Sequence, residues 1–246
     1  MSPLAHKRAF VTGASRGIGA AIARRLAADG AAVAVGYEKS ADAAQALVDR
    51  IVAAGGTAVA VQMDAAQPES VQRAVDTAVA QLGGLDILVN NAGIWRGGPI
   101  ESLTLEDIDD TLAVNVRAVV LASQAALKYI GEGGRIISTG SNLAERVPDA
   151  NASLYALSKS ALIGWTRGLA RDLGPRGITV NIVHPGSTDT DMNPSNGPRA
   201  EAQRNRMAIK QYGKADDVAA LVAFVARDEA RSINGTGLTV DGGANA

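Results

Sequence analysis

No cysteine occurs in the 246 residues. That absence excludes disulfides, thiol nucleophiles and thiolate metal sites, and makes the cytoplasm the plain expectation. Histidine is nearly absent as well. His6 and His184 stand too far apart in sequence for a recognisable zinc motif, so no metal is expected and each is read as structural or solvent-exposed. Aromatic residues make up 3% of the chain, too few for base-stacking platforms. The 24 basic and 25 acidic residues are interspersed to a formal net charge of -1, with no basic block to engage nucleic acid. No apolar run reaches the length of a membrane span, and Lys7-Arg8 leads directly into a strand-like segment, so neither membrane insertion nor secretion is expected. Repeats, low-complexity tracts and linkers are missing too. The 47% hydrophobic content is therefore expected to build one core in a single domain, 1–246.

What is present centres on Ser153-Leu-Tyr155-Ala-Leu-Ser-Lys159-Ser-Ala-Leu. Ala161, Leu162, Trp165, Leu169 and Leu173 continue an apolar stripe and Gly174-Pro175 supplies a stop, which predicts a helix over 153–173. Four residues apart, Tyr155 and Lys159 share one face of it. A phenol is a poor base with its pKa about 10, but a close ammonium favours the phenolate and lowers that value. A lone Tyr-x-x-x-Lys is more often a half-buried aromatic beside a solvated lysine, so the rest of the chain must supply the context.

In chain order, a strand at 8–12 runs into the glycine-rich turn Gly13-Ala-Ser-Arg16-Gly17-Ile18-Gly19 and a helix to about 28. Glycines there let backbone approach a ligand, and the helix N-terminus offers unpaired N–H groups to a pyrophosphate. Strands follow at 31–36, 57–62, 85–89, 134–139, 177–183 and 236–240. Helices are expected at 41–54, 68–81, 104–129, 153–173 and 215–227. This alternation predicts an α/β fold: a Rossmann-like, doubly wound parallel sheet with helices on both faces and ligands at the carboxyl ends of the strands.

Polar residues at those ends are the site candidates. Asp64, after the third strand, can contact an adenine amine or serve as a turn or capping carboxylate. Asn90-Asn91-Ala92-Gly93, after the fourth, can bridge backbone ends and cofactor or be a plain turn. Asn115, between apolar neighbours in the long helix, asks for a specific partner: it can cap or kink that helix, or hold water behind Lys159. Ser141, after the fifth strand, can stabilise charge on a substrate oxygen or act as an ordinary turn residue.

Thr12-Gly13-x-x-x-Gly17-x-Gly19, Asn90-Asn91-Ala92-Gly93, Asn115, Ser141, Tyr155-x-x-x-Lys159 and Pro185-Gly186 stand in an order that resembles a single-domain short-chain dehydrogenase/reductase, from about residue 7 to Val240-Asp241-Gly242-Gly243. Its nearest look is to the 3-oxoacyl-acyl-carrier-protein reductase branch. The resemblance implies reduction of a ketone or 3-oxoacyl carbonyl, free or acyl-carrier-linked, to a secondary alcohol, with alcohol or polyol oxidation as the alternative and a non-catalytic cofactor-binding protein as the rival class. It implies Asn115, Ser141, Tyr155 and Lys159 as the catalytic set, with Lys159 also holding the nicotinamide ribose and Asn115 supporting a proton-relay water. Members usually place the serine a little closer to the tyrosine. Here Ser141 stands 14 positions before Tyr155, which points to an insertion in 145–151 and leaves Ser138 as the weaker candidate.

By the same resemblance the cofactor lies along Gly13, Ser15, Arg16, Gly17, Ile18 and Gly19, with Tyr37, Lys39 and Ser40 after the second strand. Asp64, Asn91, Ala92 and Gly93 follow, and Pro185, Gly186, Thr188 and Thr190 form the far wall. Tyr37 replaces the carboxylate that NAD-preferring members use, and Arg16 with Lys39 and Ser40 can receive a 2′-phosphate, so NADP(H) is expected over NAD(H); Glu38 argues the other way. The turn-rich segment 188–211 is the expected lid, and Ile94, Trp95, Leu143 and Met192 the expected substrate lining. Similar proteins form homotetramers, for which Ala113-Val114, Val116, Val119-Val120, Leu162 and Trp165 offer apolar surface.

Overall fold

The computed structural model describes residues 2–246. Seven strands form one wholly parallel sheet: β1 Arg8–Val11, β2 Ala32–Tyr37, β3 Thr57–Gln62, β4 Ile87–Asn90, β5 Arg135–Thr139, β6 Thr179–Pro185 and β7 Gly237–Val240, in the spatial order β3-β2-β1-β4-β5-β6-β7. The central strands are apolar on both faces because both faces are covered. Successive residues alternate between two cores, as the pleat requires. Val11, Val33, Val35 and Val89 pack with Ile22, Leu26, Leu47 and Val222 on one side. Phe10, Ala34, Leu88 and Ile136 pack with Val75, Ala122, Leu169 and Leu173 on the other. Each such large apolar side chain contributes about 1.5–3 kcal/mol when fully buried.

Helices α1 Gly17–Ala28, α2 Ala41–Ala53 and α8 Ala215–Ala226 cover the first face; α3 Pro68–Leu82, α5 Ala118–Ala126 and α6 Ser153–Leu173 cover the second. The strand order reverses between β1 and β4, and the carboxyl ends of those strands open the crevice where such sheets bind ligands. The doubly wound fold expected from the sequence is the one observed.

Two expectations are corrected, and the 188–211 segment is seen in more detail. The helix predicted over 104–129 is α4 Leu105–Leu112, a π-helical turn Ala113–Arg117 and α5, because the Asn115 side chain is drawn to partners outside the helix. The irregular excursion 188–211 contains a further short helix, α7 Ala200–Arg206, and is pinned by bridges Thr188 to Gly213 and Thr190 to Asn193. Val119 and Leu162 pack on Ile182 in the interior, and Ala113 is buried, so none of the three offers oligomer surface; Leu157, 56% exposed, is the large apolar side chain that α6 presents outward. Among the described residues no helix is long and apolar enough to cross a membrane.

Candidate active site

The turn after β1 brings backbone together more closely than side chains would permit. Gly13 has φ +61°, and a Cβ there would lie 2.8 Å from Ala92 Cα; one on Gly19 would lie 2.5 Å from Asn91 Nδ2. Thr12 Oγ1 accepts from the N–H groups of Asn91 and Ala92, both at 3.0 Å, while Asn91 Nδ2 donates to the carbonyls of Thr12 and Gly13, also at 3.0 Å. These bonds lock the end of β4 onto the glycine turn. Helix α1 then begins with no side-chain cap, so its first N–H groups stay available to an anion.

A cavity of about 950 Å³ runs from this turn to the C-terminal residues Ala244 and Asn245. Tyr155, Lys159 and Ser141 meet in its wall. Lys159 is 4% exposed, donates from Nζ to the Thr139 carbonyl at 2.9 Å, and lies 5.7 Å from the Tyr155 ring centroid. No carboxylate pairs with it among the described residues. Burial accordingly pushes its ammonium down to about 8. Burial also pushes the Tyr155 phenol up to about 12, with the Ser141 hydroxyl pulling the other way. Lys159 was expected from the sequence to draw the phenol below its ordinary value; burial instead raises it, and the Ser141 hydroxyl is the group that pulls it down. A phenol held there is protonated at neutral pH.

Asn115 is fully buried and does not reach the cavity. Its Oδ1 accepts from Ile94 N at 2.9 Å, and its Nδ2 donates to the Ile94 carbonyl and to Ser158 Oγ, both at 3.0 Å. The amide clasps the backbone between Gly93 and Trp95. Asp64 also stays out of the cavity: its carboxylate accepts from Ala66 N at 2.9 Å, the turn role it was weighed against, and Met63 and Ala65 line the wall there. Tyr37 is outside the lining, where Glu38 stands instead. Asn90 is buried with its Nδ2 donating to Ser123 Oγ, and Ser138, the weaker serine candidate, is buried outside the cavity. The remaining candidates line the cavity: Gly13, Ser15, Arg16, Gly17, Ile18, Gly19, Lys39, Ser40, Asn91, Ala92, Gly93, Pro185, Gly186, Thr188 and Thr190, together with Ile94, Trp95, Leu143 and Met192.

Arg199, Arg206, Asp149 and Asn245 in the lining were not anticipated. Trp95 packs on Tyr155 with ring centroids 4.6 Å apart, and Arg199 lies over the Trp95 ring at 5.2 Å. Arg206 pairs with Asp149 across the opening. Asn245 Nδ2 donates to the Asn142 carbonyl at 2.8 Å, laying the C-terminus beside Ser141. The signal for that last contact was Asp241-Gly242-Gly243: both glycines have positive φ and Asp241 accepts from Gly243 N and Asn245 N, so the chain folds back over the site. At the far end Arg16 pairs with Asp191 at 3.1 Å and Lys39 with Glu38 at 3.0 Å, all well exposed. Such pairs are weak and leave both cations able to exchange partners.

A parallel sheet with an uncapped helix facing a glycine turn, and a Ser/Tyr/Lys cluster in the same cavity, defines a dinucleotide-dependent oxidoreductase. A family profile described as enoyl-(acyl carrier protein) reductase matches residues 13–245. The chain is 72% identical to a short-chain dehydrogenase from Burkholderia cenocepacia J2315 whose crystal structure is a complex with NADP, covering 99% of this chain and 100% of that one at a TM-score of 0.98. It is 53% identical to a blue fluorescent protein from a metagenomic library, solved with NADPH, over 99% and 100% of the two chains at a TM-score of 0.97. It is also 46% identical, over 98% of both chains, to the cyclic-di-GMP-binding biofilm dispersal mediator protein of Escherichia coli. The protein belongs to the short-chain dehydrogenase/reductase family and is an NAD(P)-dependent oxidoreductase acting on a carbonyl or alcohol.

Proposed function

We propose that the protein reduces a ketone to a secondary alcohol with NADPH, using Tyr155 as the proton donor. The observation that carries this reading is the meeting of Ser141, Tyr155 and Lys159 in the cavity that the glycine turn floors. When bound, the dinucleotide supplies the hydride, which no side chain here can. Gly13, Ser15, Arg16, Gly17, Ile18 and Gly19 would hold its phosphates, Asn91 and Gly93 its central portion, and Thr188 and Thr190 its far end. Arg16 and Lys39 favour the 2′-phosphate, and the NADP and NADPH complexes of the relatives support that choice.

The protein's own part is proton transfer and charge. Ser141 Oγ donates to the carbonyl oxygen and fixes its direction. Tyr155 gives that oxygen a proton as negative charge develops there, and Lys159 stabilises the phenolate left behind. All three bind the transition state more strongly than the ground state. The reverse transfer oxidises an alcohol. The 188–211 segment forms the lid, carrying Met192 and Arg199 toward Trp95. A 3-oxoacyl thioester is the finer substrate reading, carried by the motif resemblance; the matching profile is described by reduction of an enoyl thioester, which shares the acyl-carrier chemistry but not the carbonyl.

A matched reduction assay with NADPH and NADH, across simple ketones and 3-oxoacyl thioesters, tests cofactor and substrate class together. The expected NADPH advantage is at least about tenfold in kcat/KM, equivalent to about 1.4 kcal/mol, and Arg16→Ala should erode it while sparing NADH. Tyr155→Phe is expected to lower kcat by about 10²–10⁴ with NADPH binding intact. Near-normal turnover in that variant would overturn the assignment.

A further inference from the structure

His6 is exposed, but His184 is fully buried at the end of β6, and the proton transfer described above does not use it. Its Nδ1 lies 2.9 Å from the Ser141 carbonyl and 3.3 Å from the Ser141 N–H, so in either tautomer the ring is fastened to the peptide that carries Ser141; the shorter contact makes Nδ1–H the donor. Nε2 is buried without a partner. The ring has been given its room on both sides. A Cβ on Gly140 would stand 2.5 Å from Nδ1, and one on Gly237 would stand 2.7 Å from Nε2.

The reason a side chain takes this task lies in the ladder. Gly140 N donates to the Val183 carbonyl at 2.7 Å, but the next donor along β6 belongs to Pro185, which has no N–H. Strand pairing therefore ends one residue before the serine, and the imidazole anchors the Ser141 peptide just beyond that point. Burial also holds the imidazole below its ordinary pKa, against the pull of the Ser141 carbonyl and Glu145, which keeps it neutral at physiological pH.

We propose that His184 is a positioning residue for this reaction: it anchors the Ser141 peptide just beyond the point where strand pairing stops at Pro185 and sets the direction in which Ser141 presents its hydroxyl to the carbonyl. This rests on the reading of Ser141 as the group that orients the substrate.

The test compares kcat at saturating NADPH, the NADPH dissociation constant and thermal stability in His184→Leu, Ser141→Ala and the double variant. Expected are a drop of at least tenfold in kcat for His184→Leu with NADPH affinity within twofold of wild type, and less than a further twofold loss when His184→Leu is added to Ser141→Ala. Fully multiplicative losses, or an unchanged kcat in His184→Leu, overturn the proposal. His184→Asn and His184→Gln provide a second reading that does not require the leucine variant to fold. Asparagine keeps an amide near the Nδ1 position and should exceed glutamine in kcat by at least fivefold; equality or the reverse order overturns the positioning role. Wild-type turnover in Ser141→Ala removes the parent reading, whereas a loss there without a loss in His184→Leu removes this inference alone.

Discussion

Replacing Lys159 by methionine should abolish efficient turnover and yet make the protein more stable. The ammonium is 4% exposed, has the Thr139 carbonyl as its hydrogen-bond partner and no carboxylate beside it. Burial moves it from 10.5 to about 8, which at about 1.4 kcal/mol per pKa unit corresponds to a cost to folding of about 3 kcal/mol. Methionine fills a similar volume without the charge but leaves the carbonyl unpaired, a loss of about 1–2 kcal/mol. The expected net gain is about 1–2 kcal/mol at pH 7, or a rise of roughly 2–8 °C in Tm for a chain of this size. The sign of the pH dependence follows. Below about 8 the lysine is charged in both folded and unfolded states, so the whole cost applies; as pH rises from 8 toward 10.5 the folded form gives up its proton first and the cost fades. Thermal and urea unfolding of Lys159→Met and wild type, without added cofactor at pH 7 and pH 9.5, should show an advantage for the variant that shrinks at the higher pH. A variant less stable than wild type at pH 7, or an advantage equal at both, would refute the reasoning.

The same group sets a pH limit on activity: kcat for reduction should fall as pH passes about 8 and Lys159 loses its charge, while Tyr155, held at about 12, stays protonated. Lys159→Arg should remove that break, and a wild-type profile flat to pH 10 would count against it. Asp86 accepts two side-chain bonds from Arg8, at 2.8 and 3.0 Å. Burial raises its pKa, but those bonds, the Arg8 backbone N–H and the adjacent positive charge together hold it below the ordinary value. Its stabilising effect is present above the unfolded pKa of about 3.9 and lost as pH falls through the folded one; Asp86→Asn should cost about 1–2 kcal/mol at pH 7, with the gap closing in acid melts near pH 3. A homotetramer is the expected assembly, with Leu105 at 73% and Leu157 at 56% exposure as apolar side chains it could cover, and light scattering that finds a monomer at assay concentration would exclude it.

The strands and their order of appearance were legible because a covered parallel sheet writes each strand as a short apolar run and each crossover as a helical period. The helix carrying Tyr155 was read to its ends, Ser153–Leu173, since its stripe and its Gly174-Pro175 stop are both local signals. The break at Ala113–Arg117 was not legible as a π turn. An asparagine between apolar residues announced a partner, but that partner was the Ile94 backbone, brought near by tertiary structure. Asp64 and Tyr37 sit at the strand ends the motif reading indicated, yet their orientation depends on local hydrogen bonding and packing that spacing does not reveal. Charge in the Tyr155/Lys159 pair was judged from proximity alone. Burial, which raises the phenol and lowers the ammonium, is a property of the assembled walls.

Thr139 explains how a costly lysine can be held where chemistry needs it. Its carbonyl accepts from Lys159 Nζ, and its Oγ1 donates at 3.3 Å to Asn91 Oδ1, whose amide in turn fastens the glycine turn. One residue at the end of β5 therefore locates both the floor of the cofactor cleft and the ammonium beneath Tyr155. A shift of about 1 Å between reacting groups can cost about 10² in rate, so tying both to one strand end protects the geometry better than two independent anchors would. The sheet around it supplies the rigidity: Val89, Ile136 and Ile137 are buried beside this strand end, and their packing offsets the penalty of the uncompensated charge. The lysine is poorly placed for folding, and on the proposed mechanism it is the group that binds the phenolate; the strand end on which it rests makes the two compatible.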